Sequence, residues 1–209
     1  MNFIYLHGFA SCPESAKAIY LVGKLSNLGL SLQVPNLNQD DFSHLTITRQ
    51  IEQVIELFDS TTAPITLIGS SLGGLTAAWL GQKKLQVQRL ILLAPAFDFL
   101  NHWLPKLGDV QLQEWQESDF FPVYHYCEKR TIPLHYQFVE DALQYQVIQL
   151  LRPIPTLILH GQHDQVIPIK ASQSYANTRP WVKLIELDSD HALVDVMPII
   201  WSEILAFCL

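Results

Sequence analysis

The sequence predicts an α/β fold in which one parallel β-sheet is covered by helices on both faces. Short apolar runs rich in Leu, Ile and Val alternate with longer segments whose apolar residues recur at helical spacing. These runs show little polar alternation, which is typical of parallel strands buried on both faces. The chain has 209 residues, of which 49% are hydrophobic and 16% charged. It is long enough for one well-buried domain and too short for two, so we expect a single domain over residues 1–209.

Six apolar segments are predicted to be the strands of this sheet. Several of them end at a glycine or a proline, as strands that enter turns commonly do. In chain order the segments are Phe3–Leu6, Ser31–Val34, Ile65–Ile68, Val87–Ala94, Pro155–Leu159 and Val182–Leu187.

Helical spacing of apolar residues predicts five helices between and after these strands. Gly29 stands where a glycine commonly ends a helix, and Ser43 is the predicted N-cap of the second helix. A turn at Thr61–Pro64 is predicted to lead from that helix into the third strand. The predicted helices are Pro13–Leu28, Leu45–Phe58, Leu72–Lys83, Ile169–Ala176 and Leu193–Phe207.

Residues 97–151 interrupt the alternation of strands and helices. The segment directly follows a predicted strand, and it is rich in aromatic residues and prolines without the period of two that marks a sheet strand. We predict a small, mostly helical cap over one end of the sheet. Each of its aromatic residues belongs either to the core or to a ligand pocket. These residues are Trp103, Trp115, Phe120, Phe121, Tyr124, Tyr126 and Tyr136.

A G-x-S-x-G turn with Ser71 at its centre joins the third strand to its helix. Gly69 and Gly73 flank this serine. Larger side chains at the flanking positions of a sharp strand-to-helix turn would collide with the neighbouring backbone. Ser71 is therefore predicted to project from the edge of the sheet. The alternative is a buried turn in which the serine only caps the helix.

Three residues that could act as nucleophile, acid and base follow the ends of predicted strands. Because parallel strands place their carboxyl ends at one edge of the sheet, Ser71, Asp164 and His191 are expected to meet there. A serine hydroxyl becomes nucleophilic when an imidazole accepts its proton, and a carboxylate holds that imidazole in the required tautomer. We therefore predict Ser71 as nucleophile, Asp164 as acid and His191 as base.

Other residues compete for these roles. Ser70 lies one position earlier than the predicted nucleophile and is expected to point toward the sheet. Asp188 and Asp190 are close to His191 in sequence, yet neighbouring residues rarely bring their side chains face to face. Six further histidines are expected to form hydrogen bonds within their loops or to face solvent, and they are His7, His102, His125, His135, His160 and His163.

Four motifs carry a resemblance to a known family. They are Tyr5–Ala18, Gly69–Gly74, His160–Pro168 and Asp190–His191. Together they resemble the α/β-hydrolase superfamily and, more narrowly, the small bacterial esterases of the YqiA/YcfP type. The resemblance spans nearly the whole chain and is weakest in the cap. It implies the α/β-hydrolase fold and the three roles given above, and it also implies an oxyanion hole formed by the backbone N–H groups of Phe9 and Leu72.

The net charge and the motifs of the sequence argue against several classes of partner. The formal net charge is −7 and no basic cluster is longer than the two residues of Lys83–Lys84, so nucleic acid is not expected. The N-terminal apolar run is too short for a signal peptide or a membrane span. The histidines do not show the H-E-x-x-H spacing of a zinc hydrolase, and we expect neither a metal nor a cofactor.

The three cysteines predict no covalent link. Cys12, Cys127 and Cys208 are odd in number and lack C-x-x-C spacing, which fits neither a disulfide framework nor a zinc site. A reducing cytoplasm is the expected location. Cys12 near a predicted helix start is an alternative nucleophile, because a helix N-terminus favours the thiolate, but the role of a small filler residue is preferred.

The combined prediction is a serine hydrolase that cleaves carboxylic esters. The substrate is expected to be a small molecule with an apolar acyl or aryl group, and acyl thioesters are a close variant. Two alternatives fit the same scaffold: a non-catalytic ligand-binding protein, and a carbon–carbon bond hydrolase or cofactor-free haloperoxidase. The oligomeric state is left open.

Overall fold

The computed structural model describes residues 2–58 and 63–208. Thr61 and Thr62 of the predicted turn lie outside these residues. Eight strands are present in the described part of the chain: β1 (Asn2–Leu6), β2 (Leu32–Gln33), β3 (Ile65–Ser70), β4 (Val87–Leu93), β5 (Phe120–His125), β6 (Arg130–His135), β7 (Thr156–Gly161) and β8 (Val182–Leu187).

Six of these strands form the predicted parallel sheet. Their order is β2-β1-β3-β4-β7-β8, and every neighbouring pair is parallel. All residues of β3 and β7 are buried, which explains why these segments are apolar without alternation. The prediction of one six-stranded parallel sheet is confirmed.

Helices cover both faces of the sheet, as predicted. Leu21 and Ile200 belong to the hydrophobic cluster on one face, where the first and last helices pack. Ile51 and Leu75 belong to the cluster on the other face. The helices are α1 (Ala16–Ser26), α2 (Ile47–Phe58), α3 (Leu72–Lys83), α4 (Phe99–Ser118), α5 (Gln137–Ala142), α6 (Ile169–Asn177) and α7 (Met197–Cys208).

Two predicted helix starts were wrong. The Thr46 hydroxyl, rather than Ser43, caps α2 by accepting a hydrogen bond from the Arg49 N–H at 3.1 Å, and Ser43 lies in a short 3₁₀ turn. The last helix begins at Met197 instead of Leu193, because Leu193 has a φ of +56° that an α-helix does not accept.

The cap (residues 97–151) contains a β-hairpin that was not predicted. It contains α4, which breaks at Gly108, and α5, but between them β5 and β6 form an antiparallel hairpin. Pro122 and Pro133 face each other across this hairpin. Proline donates no ladder hydrogen bond and is unusual inside strands, so the sequence around these prolines did not indicate a sheet.

A disulfide joins Cys12 to Cys127, in contrast to the prediction of unpaired cysteines. The bond links the loop after β1 to the tip of the β5–β6 hairpin, over a sequence separation of 115 residues. Beside it, the Tyr126 N–H donates to the Ala10 carbonyl at 3.0 Å. The pairing depends on this tertiary contact, which cysteine spacing does not reveal. The expected reducing cytoplasm was inferred from unpaired cysteines and loses that support.

Cys127→Ser is expected to lower the free energy of unfolding by about 4 kcal/mol, because a cross-link closing a loop of this length removes much entropy from the unfolded chain. Urea unfolding without reductant measures the effect. Cys208→Ser is the matched control, since Cys208 is a free cysteine in α7, and it is expected to change stability by less than about 1 kcal/mol. Equal losses in the two variants would contradict the prediction.

In the parts of the chain described above, no helix combines the length and apolar character needed to cross a membrane.

Candidate active site

Ser71 lies at a sharp turn between β3 and α3. Its φ of 52° and ψ of −118° are unusual for a residue with a side chain. A Cβ atom at Gly69 would lie 2.3 Å from the Gly73 carbonyl oxygen, and one at Gly73 would lie 2.2 Å from the Leu6 carbonyl oxygen. Glycine is therefore required at both positions for the strand and helix to approach, and the turn leaves Ser71 at the carboxyl edge of the sheet.

Ser71, His191 and Asp164 form a continuous hydrogen-bonded chain. The Ser71 Oγ lies 3.0 Å from His191 Nε2, and His191 Nδ1 lies 2.7 Å from Asp164 Oδ2. A neutral His191 that donates from Nδ1 to the carboxylate keeps Nε2 free to accept the serine proton. The three side chains thus have the geometry of a nucleophile, a base and an orienting acid.

Asp164 is buried and fully hydrogen-bonded. Its Oδ1 accepts from the N–H groups of Val166 and Ile167, both at 2.8 Å. Its Oδ2 faces both His191 and His160. Burial alone would raise the pKa of Asp164, but the hydrogen bonds from His160 and His191, the charge of His191 and the Ile167 N–H hold that pKa well below its usual range. The carboxylate is therefore ionised at neutral pH.

The competing serine and acids have other contacts. Ser70 is only 4% exposed, and its side chain forms a hydrogen bond with that of Tyr5. Asp190 accepts hydrogen bonds from the N–H groups of Ala192 and Leu193, and it shapes the loop that carries His191. Asp188 pairs with His163 at 2.7 Å on the exposed surface.

The loop after β1 lies directly against Ser71. A Cβ at Gly8 would be 3.3 Å from the Ser71 Cβ. His7 fixes this loop: its Nε2 accepts from the Leu37 N–H at 3.0 Å, so its Nδ1 carries the proton and donates to the Gly8 carbonyl. Burial lowers the pKa of His7 and keeps it neutral. Phe9 and Leu72, whose N–H groups were predicted to form an oxyanion hole, both line the cavity next to Ser71.

Lys17 of α1 holds the loop that carries His191. Its Nζ donates to the Ala192 carbonyl at 2.7 Å. Burial lowers the pKa of Lys17 to about 8, although the attraction of Asp190 and Asp164 opposes this effect. Lys17 belongs to the Tyr5–Ala18 motif, but its sequence position did not indicate this role. A contact over 175 positions of sequence separation has no local signal.

A cavity of about 630 Å³ opens beside Ser71 and His191. Its wall is mostly aromatic, and it lies between the sheet edge and the cap. Residues from the loop after β1, from α4, from the hairpin and from α5 contribute to it. The aromatic residues that line it are Phe9, Phe99, Trp103, Phe121, Tyr124, Tyr126 and Phe138.

The structure thus divides the aromatic residues of the cap between pocket and core. Trp115 is only 1% exposed, and its Nε1 donates to the Leu134 carbonyl at 2.9 Å, so it belongs to the core of the cap. Tyr136 packs against Trp115 with its ring edge-on. Phe120 is partly exposed and contacts His135. Phe99 and Phe138 line the cavity but were not identified from the sequence.

A second cavity of about 290 Å³ also includes Ser71 and His191. It is lined further by Ser15 and Lys17 of the segment that begins α1, and by Tyr126 of the hairpin. Two cavities therefore meet at the Ser71 hydroxyl.

His125 makes a loop contact, as expected for the histidines of the cap, but it does not face solvent. It is 1% exposed, and burial lowers its pKa. Its Nε2 lies 3.1 Å from Asn38 Nδ2, and its Nδ1 accepts from the Glu128 N–H at 3.2 Å. His135 accepts a loop hydrogen bond from the Gln137 N–H, as expected. His102 is partly exposed on α4.

Among residues 2–58 and 63–208, no group of three or more His, Cys, Asp or Glu side chains could hold a metal ion.

Comparison with known proteins places this chain in a family. A family model described as an uncharacterised protein family, UPF0227, matches residues 2–208. The chain belongs to the UPF0227 family. A protein of Mycoplasma pneumoniae named "Putative esterase/lipase 3" is 30% identical over 139 residues, which are 54% of this chain and 49% of that protein. The UPF0227 chain thus spans about half the length of the curated relative it matches.

Solved structures confirm the α/β-hydrolase fold of this UPF0227 protein. A "Putative hydrolase" of Agrobacterium vitis S4 superposes with a TM-score of 0.84 at 24% identity, over 100% of this chain and 88% of the other. Est1E of Butyrivibrio proteoclasticus, determined with ferulic acid bound, superposes with a TM-score of 0.78 at 18% identity, over 98% and 88% of the two chains. At these identities the likeness shows the fold, and the resemblance to α/β-hydrolases seen in the sequence is confirmed.

Proposed function

We propose that this UPF0227 protein is a serine hydrolase that cleaves carboxylic esters through an acyl-enzyme intermediate. The observation that carries the proposal is the hydrogen-bonded chain from Ser71 through His191 to Asp164 at the mouth of an aromatic cavity. The name of the Mycoplasma pneumoniae relative supports the same reaction class.

In the first half of the reaction, the Ser71 Oγ attacks the ester carbonyl carbon while its proton passes to His191 Nε2. Asp164 stabilises the imidazolium that forms. The tetrahedral intermediate then collapses, the bond to the alcohol oxygen breaks, and His191 returns the proton to the departing alkoxide. An alcohol leaves and the acyl group stays on Ser71.

In the second half, a water molecule attacks the acyl carbonyl and gives a proton to His191. Collapse of this intermediate breaks the bond to Ser71, whose oxygen recovers the proton from His191, and the carboxylic acid is released. The N–H groups of Phe9 and Leu72 are proposed to donate to the negative oxygen in both intermediates. Loss of one such donor typically costs about 3 kcal/mol of transition-state stabilisation.

The shape of the site supports an ester with an apolar acyl or aryl group. Aromatic side chains dominate the larger cavity, and an aryl ring can pack against their faces and edges. Est1E, which has the same fold, binds ferulic acid, an aromatic acid. An ester has one group on each side of its reacting carbon, and two cavities meet at Ser71 to receive them. Thioesters would react by the same steps.

Labelling with a fluorophosphonate tests the proposal without knowledge of the natural substrate. The probe phosphonylates an activated serine and releases fluoride, and mass spectrometry of the digested protein locates the label. We expect label on Ser71 in the native protein. Ser70→Ala is the matched control and should be labelled normally, because Ser70 faces Tyr5. A native protein that remains unlabelled at Ser71 would show that the serine is not activated and favour a ligand-binding role.

A further inference from the structure

A second histidine lies behind the acid of the proposed triad. His160, at the end of β7, is fully buried, and its Nε2 is 3.1 Å from Asp164 Oδ2 and 3.0 Å from the Ile167 carbonyl oxygen. Its Nδ1 is 2.8 Å from the Ser172 Oγ of α6. Ser172 is fully buried as well. Both ring nitrogens of His160 therefore have partners inside the protein.

These contacts determine where the proton of His160 resides. Nε2 faces a carboxylate and a carbonyl, which can only accept, so Nε2 must carry the proton. Nδ1 can then accept from the Ser172 hydroxyl in the neutral form of the ring. Ser172 thereby holds His160 in the tautomer that donates to Asp164, in the way that Asp164 holds His191.

We propose that His160 is a positioning residue. Its hydrogen bond fixes the orientation of the Asp164 carboxylate and takes up part of the carboxylate's negative charge, which would otherwise act on His191 alone. The proposal rests on the proposed function, because it requires His191 to act as the base for Ser71. His160 contacts neither Ser71 nor the cavity, so its effect reaches the reaction through Asp164 alone.

Hydrogen bonding explains how the effect arises. Asp164 Oδ2 accepts from two histidines, and a carboxylate that already accepts a hydrogen bond attracts a neighbouring imidazolium less strongly. Burial acts to raise the pKa of Asp164, and the hydrogen bond from His160 is the largest of the contacts that lower this pKa and together outweigh burial. Among the described residues, Lys17 of α1 and the imidazolium form of His191 also act on the Asp164 charge, and both side chains are retained when His160 is replaced.

Loss of the His160 donor therefore has two expected consequences. The Asp164 carboxylate loses one of the contacts that hold its orientation, so activation of Ser71 weakens at every pH. In addition, the carboxylate attracts the His191 imidazolium more strongly, so the protonated form that cannot act as a base persists to higher pH. A residue that only fills space would produce neither the second effect nor its reversal by another hydrogen-bond donor.

The test measures the second-order rate of Ser71 phosphonylation by a fluorophosphonate from about pH 5 to pH 9, the range in which histidine titrates. In His160→Leu the rate at the high-pH plateau of this profile should fall about tenfold, as for the loss of one hydrogen bond to a charged group. The acidic limb, which is the part of the profile where the rate rises with pH, should move to higher pH. His160→Gln, which places an amide donor near the position of Nε2, should move the limb back toward that of the native protein.

Two further variants complete the design. Ser172→Ala removes the hydroxyl that fixes the tautomer and should shift the limb in the same direction by a smaller amount. His163→Leu is the matched control, because His163 lies in the loop that follows β7 but pairs with exposed Asp188, and it should leave the rate and the acidic limb unchanged.

The outcomes separate this proposal from the proposed function. If the native protein is not labelled at Ser71, the proposed function fails and the role of His160 fails with it. If the native protein is labelled but His160→Leu keeps the native limb, or His160→Gln behaves like His160→Leu, the positioning role alone is overturned. If His160→Leu does not fold, Ser172→Ala decides the question, and an unmoved limb in that variant overturns the proposal.

Discussion

Replacing Ser71 by alanine is expected to lower kcat/KM for hydrolysis of an activated ester by at least about 10⁴-fold, because the variant has no nucleophile for the acyl-enzyme step. Steady-state hydrolysis of a p-nitrophenyl ester with an apolar acyl chain measures the loss. Only the proposed oxyanion hole and substrate binding would remain to accelerate attack by water.

The fold should survive this change. Ala10 and Ala94 already adopt φ values of 51° and 44° in this chain, so alanine at the 52° of Ser71 introduces no new kind of backbone strain. Thermal unfolding of Ser71→Ala should therefore resemble that of the native protein. Ser70→Ala is the matched control and should retain activity. Ester hydrolysis at the native rate by Ser71→Ala would refute the proposed mechanism.

Asp164→Asn is expected to lower kcat/KM by about 10⁴-fold through a change of tautomer. The N–H groups of Val166 and Ile167 would bind the amide oxygen at the Oδ1 position, which turns the NH₂ group toward His160 and His191. The Nδ1 of His191 must then accept instead of donate, so its proton moves to Nε2, where it prevents acceptance of the serine proton.

The same ester assay measures this loss, with Asp188→Asn as the control. Asp188 is exposed and pairs with His163, so its amide variant should keep activity within about twofold of the native protein, as for a surface substitution remote from the site. A larger loss in Asp188→Asn than in Asp164→Asn would show that Asp188, and not Asp164, is the acid. A smaller fall in Asp164→Asn than about tenfold would mean that another group orients His191.

The parts of the molecule that were predictable from sequence are those controlled by local patterns. Continuous apolar runs indicate strands buried on both faces, and the order of strands and helices then leads to a parallel sheet. The turn at Ser71 was recognisable from its G-x-S-x-G pattern, and the structure explains the pattern, because the surrounding backbone leaves no room for a Cβ atom at Gly69 or Gly73. Local patterns gave a wrong helix start where a single residue departs from them. Leu193 has a positive φ, so α7 begins at Met197 instead of at Leu193.

Contacts between distant segments were not predictable in the same way. The hairpin of the cap was missed because its facing prolines hide a strand pattern, and the Cys12–Cys127 bond was missed because it depends on where that hairpin lies. The same holds for Lys17, which reaches the loop of His191 from the other end of the chain.

The amino-acid sequence alone specified the sheet, the turn at Ser71 and the loops that carry Asp164 and His191, because each is marked by a pattern of residues close together in the chain. The fold in three dimensions added the surroundings of those residues: the aromatic cavity, the disulfide to the cap, and His160 behind Asp164. Hydrogen bonds and packing between remote segments depend on distances of a few ångströms, and the folded chain sets those distances by satisfying all of its buried groups at once.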